Sequence, residues 1–285
     1  MECPWPLAVV PDEDTPIESW PEQLALDVHQ LDHGQVSRRS DRVIEEVPIA
    51  LVYNCISHAV MLATPTDLID FALGFSLTEG ILRGPEEMLD CDPVAAGEEG
   101  IEIRVSISGW RFAELKERRR TLAGRTGCGL CGVESLQAVA RPPVPVRRTC
   151  LPRPGAVARA LAALPAHQTL FRATGGGHAA AWIDASGEVQ LVREDVGRHN
   201  ALDKLIGALY RRGFTPHEGF VICTSRASFE MVQKTMVAGI GLLVAVSAPT
   251  AAAVRLADAA GMTLVGFARG ERMLVYTHPG AVISI

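Results

Sequence analysis

The sequence predicts an α/β protein in two units: a smaller α+β half, then a sheet covered by helices. Three observations predict it. Beyond residue 154, apolar β-rich runs alternate with helical ones. A proline-rich stretch separates that alternation from a first half with a different pattern. The 285 residues exceed an average domain of roughly 150. The expected boundaries are a flexible arm over 1–40, an α+β unit over 41–140, a connector over 141–154 and the second unit over 155–285.

The arm holds Pro4, Pro6, Pro11, Pro16 and Pro21 among acids and lacks sustained periodicity. From Arg42 to Thr64, two β-branched runs around Asn54 and Ser57 read as a hairpin. Leu68, Phe71, Ala72, Phe75 and Leu82 recur at helical spacing, with Thr66 as N-cap. Ile101 to Ile107 alternates like a half-buried strand, and Trp110 to Leu122 is a charged helix. Pro142, Pro143, Pro145, Pro152 and Pro154 then exclude a helix and make a stiff connector. In the second unit the strands are HAAAWID, EVQLVRE, GFVICT, LLVAVS and TLVGFA. Helices over 200–211, 227–238 and 250–260 fall between them, which implies a mostly parallel sheet.

With 48% hydrophobic and 21% charged residues, the composition is that of a globular chain. A formal net charge of -6, from 27 Lys plus Arg against 33 Asp plus Glu, makes nucleic acid a poor partner. No apolar run reaches the roughly 18 residues needed to span a bilayer, and the start MECPWPLAVV has no basic leader, so the expected location is the cytoplasm. Seven cysteines, of which only Cys128 and Cys131 are closely spaced, argue against a disulfide framework.

The segment GRTGCGLCG sets Cys128 and Cys131 among four glycines, beside Arg125. Glycine leaves sulfur open to attack, and a nearby guanidinium favours the thiolate. Three chemistries use such a pair. Zinc needs two further ligands and finds no second CxxC. Thioredoxin-like exchange expects the pair at a helix start after a strand. A thiol carrier needs one cysteine to hold sulfur as a persulfide and a second to assist or resolve it.

REDVGRHNALDK, residues 193–204, is the second cluster. Asp195, Asn200 and Asp203 can cap a helix while Lys204 makes surface pairs; equally, Arg193, Arg198 and His199 suit an anion at a helix start. Residues 224–228, 247–250 and 268–272 each follow an apolar strand, where open sheets bind ligands, and their hydroxyls with Arg269 and Arg272 suit a phosphate-bearing ligand. There is no Walker A or GxGxxG pattern. Zinc deaminases need His-x-Glu and Pro-Cys-x-x-Cys, but here Ala180 stands two after His178 and only Cys223 lies near the later loop.

Together TGCGLCG, ATGGGHAAAW, REDVGRHNALDKLIG, TSRASFEMVQKTMVAGI, VSAPTAAAVRLA and MTLVGFARGERMLVYTH resemble the formate dehydrogenase accessory family of FdhD sulfur carriers, from about Arg42 to the C-terminus. The resemblance implies a cytidine-deaminase-like three-layer αβα second domain without the metal site, and homodimers. It implies a sulfurtransferase that takes sulfur from a cysteine desulfurase. The sulfur passes to the molybdenum or tungsten bis(molybdopterin guanine dinucleotide) cofactor of formate dehydrogenase, for which a guanine nucleotide is a partial mimic. By position, the persulfide cysteine falls on Cys128, with Cys131 as its partner. The cofactor segment falls on Phe267, Ala268, Arg269, Gly270, Glu271 and Arg272. A chaperone that holds the cofactor without covalent sulfur transfer is the alternative.

Overall fold

The computed structural model describes residues 20–97, 100–123, 143–147 and 150–282. The first strands are β1 (Gln23–Asp32) and β2 (Gln35–Ile44), an antiparallel ribbon from Gln23 onward in the stretch expected to be a flexible arm or disordered lead. His33 and Gly34 both take positive φ, the conformation a tight two-residue hairpin requires. Its polar, arginine-rich second strand hides the alternation, since most of its side chains face solvent.

The first sheet has the order β4-β3-β6-β5, from β3 (Val47–Tyr53), β4 (Ile56–Ala63), β5 (Met88–Ala95) and β6 (Ile101–Ile107). The hairpin expected around Asn54 is β3–β4. Asn54 takes a left-handed φ that asparagine tolerates, and its amide both donates to and accepts from Ile107 at 2.9 Å. On β6, Ile101, Ile103, Val105 and Ile107 alternate inward, as the sequence indicates, against Phe71 and Phe75 of α1 (Leu68–Thr78). Burying such side chains contributes roughly 1.5–3 kcal/mol each. Asp67, not Thr66, precedes this helix, in a left-handed conformation without a side-chain cap. The charged helix α2 (Gly109–Ala123) follows β6 directly.

The second sheet has the order β12-β11-β10-β9-β7-β8, from β7 (His178–Asp184), β8 (Val189–Asp195), β9 (Gly219–Cys223), β10 (Leu242–Ala245), β11 (Thr263–Arg269) and β12 (Arg272–Thr277). Only the β9–β10 and β10–β11 pairings are parallel, so the expected mostly parallel sheet is corrected to a parallel centre with antiparallel flanks. Parallel pairing needs a crossover of a dozen or more residues. The β7–β8 and β11–β12 links are too short and close as hairpins.

Helix α3 (Ala156–His167) covers one face, with Val157, Ala160 and Leu164 on Ile183, Phe220, Val244 and Val265. A short α4 (Thr169–Thr174) follows. The other face buries α5 (Arg198–Arg211), α6 (Phe229–Val237) and α7 (Ala251–Ala259), which makes three layers. No described helix is long and apolar enough to cross a membrane.

Helix α1 joins the units by crossing α5 where glycines face each other. A Cβ on Gly74 would overlap the Asp203 carbonyl, and one on Gly207 the Asp70 carbonyl. This close approach places Thr78 against Asp203 at 2.7 Å, and Lys234 bonds Thr78, Glu79 and Asp203 at 2.9 Å each.

Candidate functional site

One edge of the second sheet gathers the loops marked by sequence. β9, β10 and β11 run parallel and share a carboxyl end, and antiparallel β7 brings His178 to the same edge. Pairing of His178 with Asp195 delivers the turn into α5 there as well. The rim therefore contains His178, Arg198, His199 and residues 224–228, 247–250 and 267–269.

Part of REDVGRHNALDK proves to be an interlock between the units. Lys204 is wholly buried, 2.7 Å from Asp195 and 2.9 Å from the Thr64 carbonyl, which corrects its expected place in surface pairs. Asp195 also accepts from the amides of Thr64 and Gly197 and from Asn200, whose amide further donates to Leu62 O. Arg193 is held by Asp67 and Asp70 and does not stand free for a ligand. Asp203 bonds Thr78 and Lys234 and does not cap the helix. These partners lie up to 140 positions away along the chain, so spacing along the motif gave no sign of them.

The hydroxyls divide in the same way. Thr224 accepts from the Ala179 amide at 2.9 Å, Ser225 donates to Arg226 O, and Thr250 caps α7 by accepting from Ala253 at 3.2 Å. Ser228 precedes α6 without capping it; its hydroxyl lies 3.4 Å from His199 Nε2, which pairs with Glu230 at 2.8 Å. Glu230 was missed by sequence reading, because two positions into a helix it resembles any first-turn acid. His199 holds its carboxyl below the usual range.

The rim cations differ in exposure. Arg226 is exposed, and Arg198 keeps its Nε buried without a hydrogen-bond partner among the described residues. A guanidinium N–H without a protein acceptor suits an anion. Burial first, then Arg198 and His199, push His178 below its ordinary 6.5, which favours the neutral ring. Its stabilising effect is present above 6.5 and is lost as pH falls below that value, because the unfolded ring then binds a proton that the folded one refuses. His178→Gln is therefore expected to flatten the loss of stability as pH falls below 6.5, measured by urea unfolding at each pH.

The predicted cofactor segment is the end of β11 and its turn into β12. The Phe267 amide donates to Ser247 O at 3.1 Å, which fixes the start of the segment to the loop after β10, and the remainder overhangs the rim. Phe267 has a left-handed φ of 51° and is 43% exposed; strain of that kind in a non-glycine residue often marks a ligand clamp. Ala268 is buried, whereas Arg269 and Arg272, opposite each other in register, are exposed. Gly270 takes the positive φ of the turn. Glu271 lines a separate cleft of about 430 Å³ with Arg153, Gly155 and Met273, whose walls include neither Arg269 nor Arg272.

Cys128, Cys131 and Arg125 lie outside the described residues. Among the described cysteines, burial pushes Cys91 up to about 12 and Cys150 and Cys223 up to about 11, so none of these three is a ready thiolate at neutral pH. Cys55 is exposed on the β3–β4 turn. No group of three or more metal-ligating side chains occurs among the described residues.

Fold and site define a two-unit α/β protein whose cationic rim, at the strand ends of a mixed sheet, faces solvent. The model of the FdhD/NarQ family matches residues 44–283, and the chain belongs to that family. A protein of Bordetella bronchiseptica named sulfur carrier protein FdhD is 54% identical over 93% of this chain and 96% of its own. One of the same name from Cupriavidus necator is 55% identical over 86% and 85%. A crystal structure of a proposed formate dehydrogenase accessory protein from Desulfotalea psychrophila superposes with a TM-score of 0.75 at 23% identity, covering 92% of this chain and all of that one. That likeness supports the mixed α/β fold.

Proposed function

We propose that this chain is a sulfur carrier for formate dehydrogenase. It receives sulfur from a cysteine desulfurase on Cys128 and hands it to a molybdenum or tungsten bis(molybdopterin guanine dinucleotide) cofactor held at the cationic rim. The observation that carries this reading is 54% identity, across 93% of the chain, to a protein named as a sulfur carrier. The raised pKa values of Cys91, Cys150 and Cys223 are consistent with it, since these three buried thiols are poor nucleophiles at neutral pH. The unsatisfied Arg198 Nε and the exposed Arg226, Arg269 and Arg272 suit the phosphates of such a cargo.

In the first step the Cys128 thiolate attacks the outer sulfur of the donor's persulfide, forming Cys128–S–S⁻ and releasing the donor thiolate. In the second, the Cys131 thiolate attacks the inner sulfur; a Cys128–Cys131 disulfide forms, and the outer sulfur leaves as sulfide to ligate the metal. The two electrons come from the cysteine pair. A cellular dithiol reductant then restores both thiols. In this reading the second unit is cytidine-deaminase-like and has lost its zinc: Ala180 stands where His-x-Glu needs its acid. The carrier acts as a homodimer in the cytoplasm.

Incubation with a cysteine desulfurase and cysteine is expected to add about one sulfur atom per chain, localised to Cys128 by peptide mass spectrometry, and Cys128→Ala is expected to take up none. An unmodified wild-type chain that still binds the cofactor would instead identify a chaperone without covalent transfer.

A further inference from the structure

Trp110 opens α2 and is 55% exposed, yet its ring is held firmly. The Arg111 guanidinium stacks against it, with Cζ 4.1 Å from the ring centroid, and Arg83 approaches to 5.4 Å. Arg111 is itself buried and anchored, bonding Glu87 through two nitrogens at 2.8 and 2.7 Å and Glu114 at 2.9 Å. An open tryptophan fixed by an arginine bonded at all three nitrogens loses little side-chain freedom when another surface covers it, and Trp with Arg is the composition of interface hot spots.

Charge points the same way. The chain carries a net -6, but the sequence of α2 holds five cations against two anions; Arg83 is exposed beside Trp110, and Lys116 is exposed further along the helix, its Nζ 4.7 Å from the Phe112 ring centroid. We infer that Trp110, Arg83 and Lys116 form a docking surface for an acidic protein face, and that its occupant is the persulfide donor. This inference rests on the carrier reading. Helix α2 ends at Ala123, five residues before Cys128, and five residues span at most about 18 Å. A donor exchanging sulfur with Cys128 must therefore reach within about 18 Å of the C-terminal end of α2. At 15 residues the helix is about 22 Å long, within the footprint of an ordinary interface of roughly 800 Å² per partner. The acceptor's cofactor is assigned instead to the rim of the other sheet.

The test measures the rate of persulfide loading on Cys128 by mass spectrometry, using full-length chain with either a limiting cysteine desulfurase or inorganic polysulfide. Arg83→Glu with Lys116→Glu is expected to slow loading from the desulfurase about tenfold at low salt and to flatten its salt dependence. Trp110→Ala is expected to raise the half-saturating desulfurase concentration about tenfold. Loading from polysulfide should be unchanged in both variants. Unaltered loading from the desulfurase, or equal slowing with both donors, overturns the docking surface. Variants that load normally but fail to pass sulfur on place the acceptor there and overturn the donor assignment. A wild-type chain loaded by polysulfide and by no desulfurase removes the donor surface and leaves the carrier; one loaded by neither removes the carrier reading and this surface with it.

Discussion

Lys204→Met is expected to destabilise the chain by about 3–5 kcal/mol, a large part of the roughly 5–15 kcal/mol that hold a folded protein together. Lys204 and Asp195 are both wholly buried, and the ammonium lies 2.7 Å from the carboxylate. Methionine preserves the volume of the stem but leaves Asp195 charged with no countercharge, and leaves the Thr64 carbonyl without its donor. The amides of Thr64 and Gly197 and the side chain of Asn200 still reach the carboxylate, but they supply dipoles and no full charge. Adding Asp195→Asn removes the stranded charge and is expected to recover part of the loss, so the two changes are non-additive in a double-mutant cycle. Urea midpoints measure both. A single variant within about 1 kcal/mol of wild type would show that the pair is dispensable. The effect extends to the rim, because Asp195 fixes the turn from which Arg198 and His199 project.

The outcome at Lys204 bears on what a sequence can reveal. The β-branched runs of the second unit were legible because its central strands β9 and β10 are buried on both faces and the helices over them repeat their apolar positions. The CxxC segment suggested chemistry because two thiols among glycines have few structural uses, and it lies outside the described residues. The β1–β2 ribbon was not, because a strand exposed on both faces need not alternate. REDVGRHNALDK was half legible: its charge density was visible, but whether each charge meets a ligand or another part of the chain depends on Thr64, Asp70 and Thr78, more than 100 positions earlier. Parallel against antiparallel pairing was hidden as well. The alternation of strands and helices is the same whether a helix crosses to the neighbouring strand or, as α5 does between β8 and β9, passes over β7.

Gly74→Ala and Gly207→Ala are each expected to destabilise at the upper end of about 1–3 kcal/mol, although alanine in place of glycine ordinarily favours a helix by about 1 kcal/mol. The sign reverses because of what the new methyl meets. At Gly74 it meets the Asp203 carbonyl and the Gly207 amide, and at Gly207 it meets the Asp70 carbonyl and the Gly74 amide. Backbone atoms cannot swing aside as a side-chain tip can, so relief comes only from moving α1 and α5 apart. Separation stretches the 2.7 Å bond from Thr78 to Asp203, which bridges these helices directly, and the Lys234 bonds to Thr78 and Asp203, which link them through α6. The second substitution should cost less than the first, because the helices are already apart when it is made. Gly109→Ala serves as the control: a Cβ there meets nothing within 4 Å, and its urea midpoint should be unchanged or slightly raised. If Gly74→Ala behaved like Gly109→Ala, the two units would have to meet less closely than this crossing requires, and the buried charges beside it would be solvated.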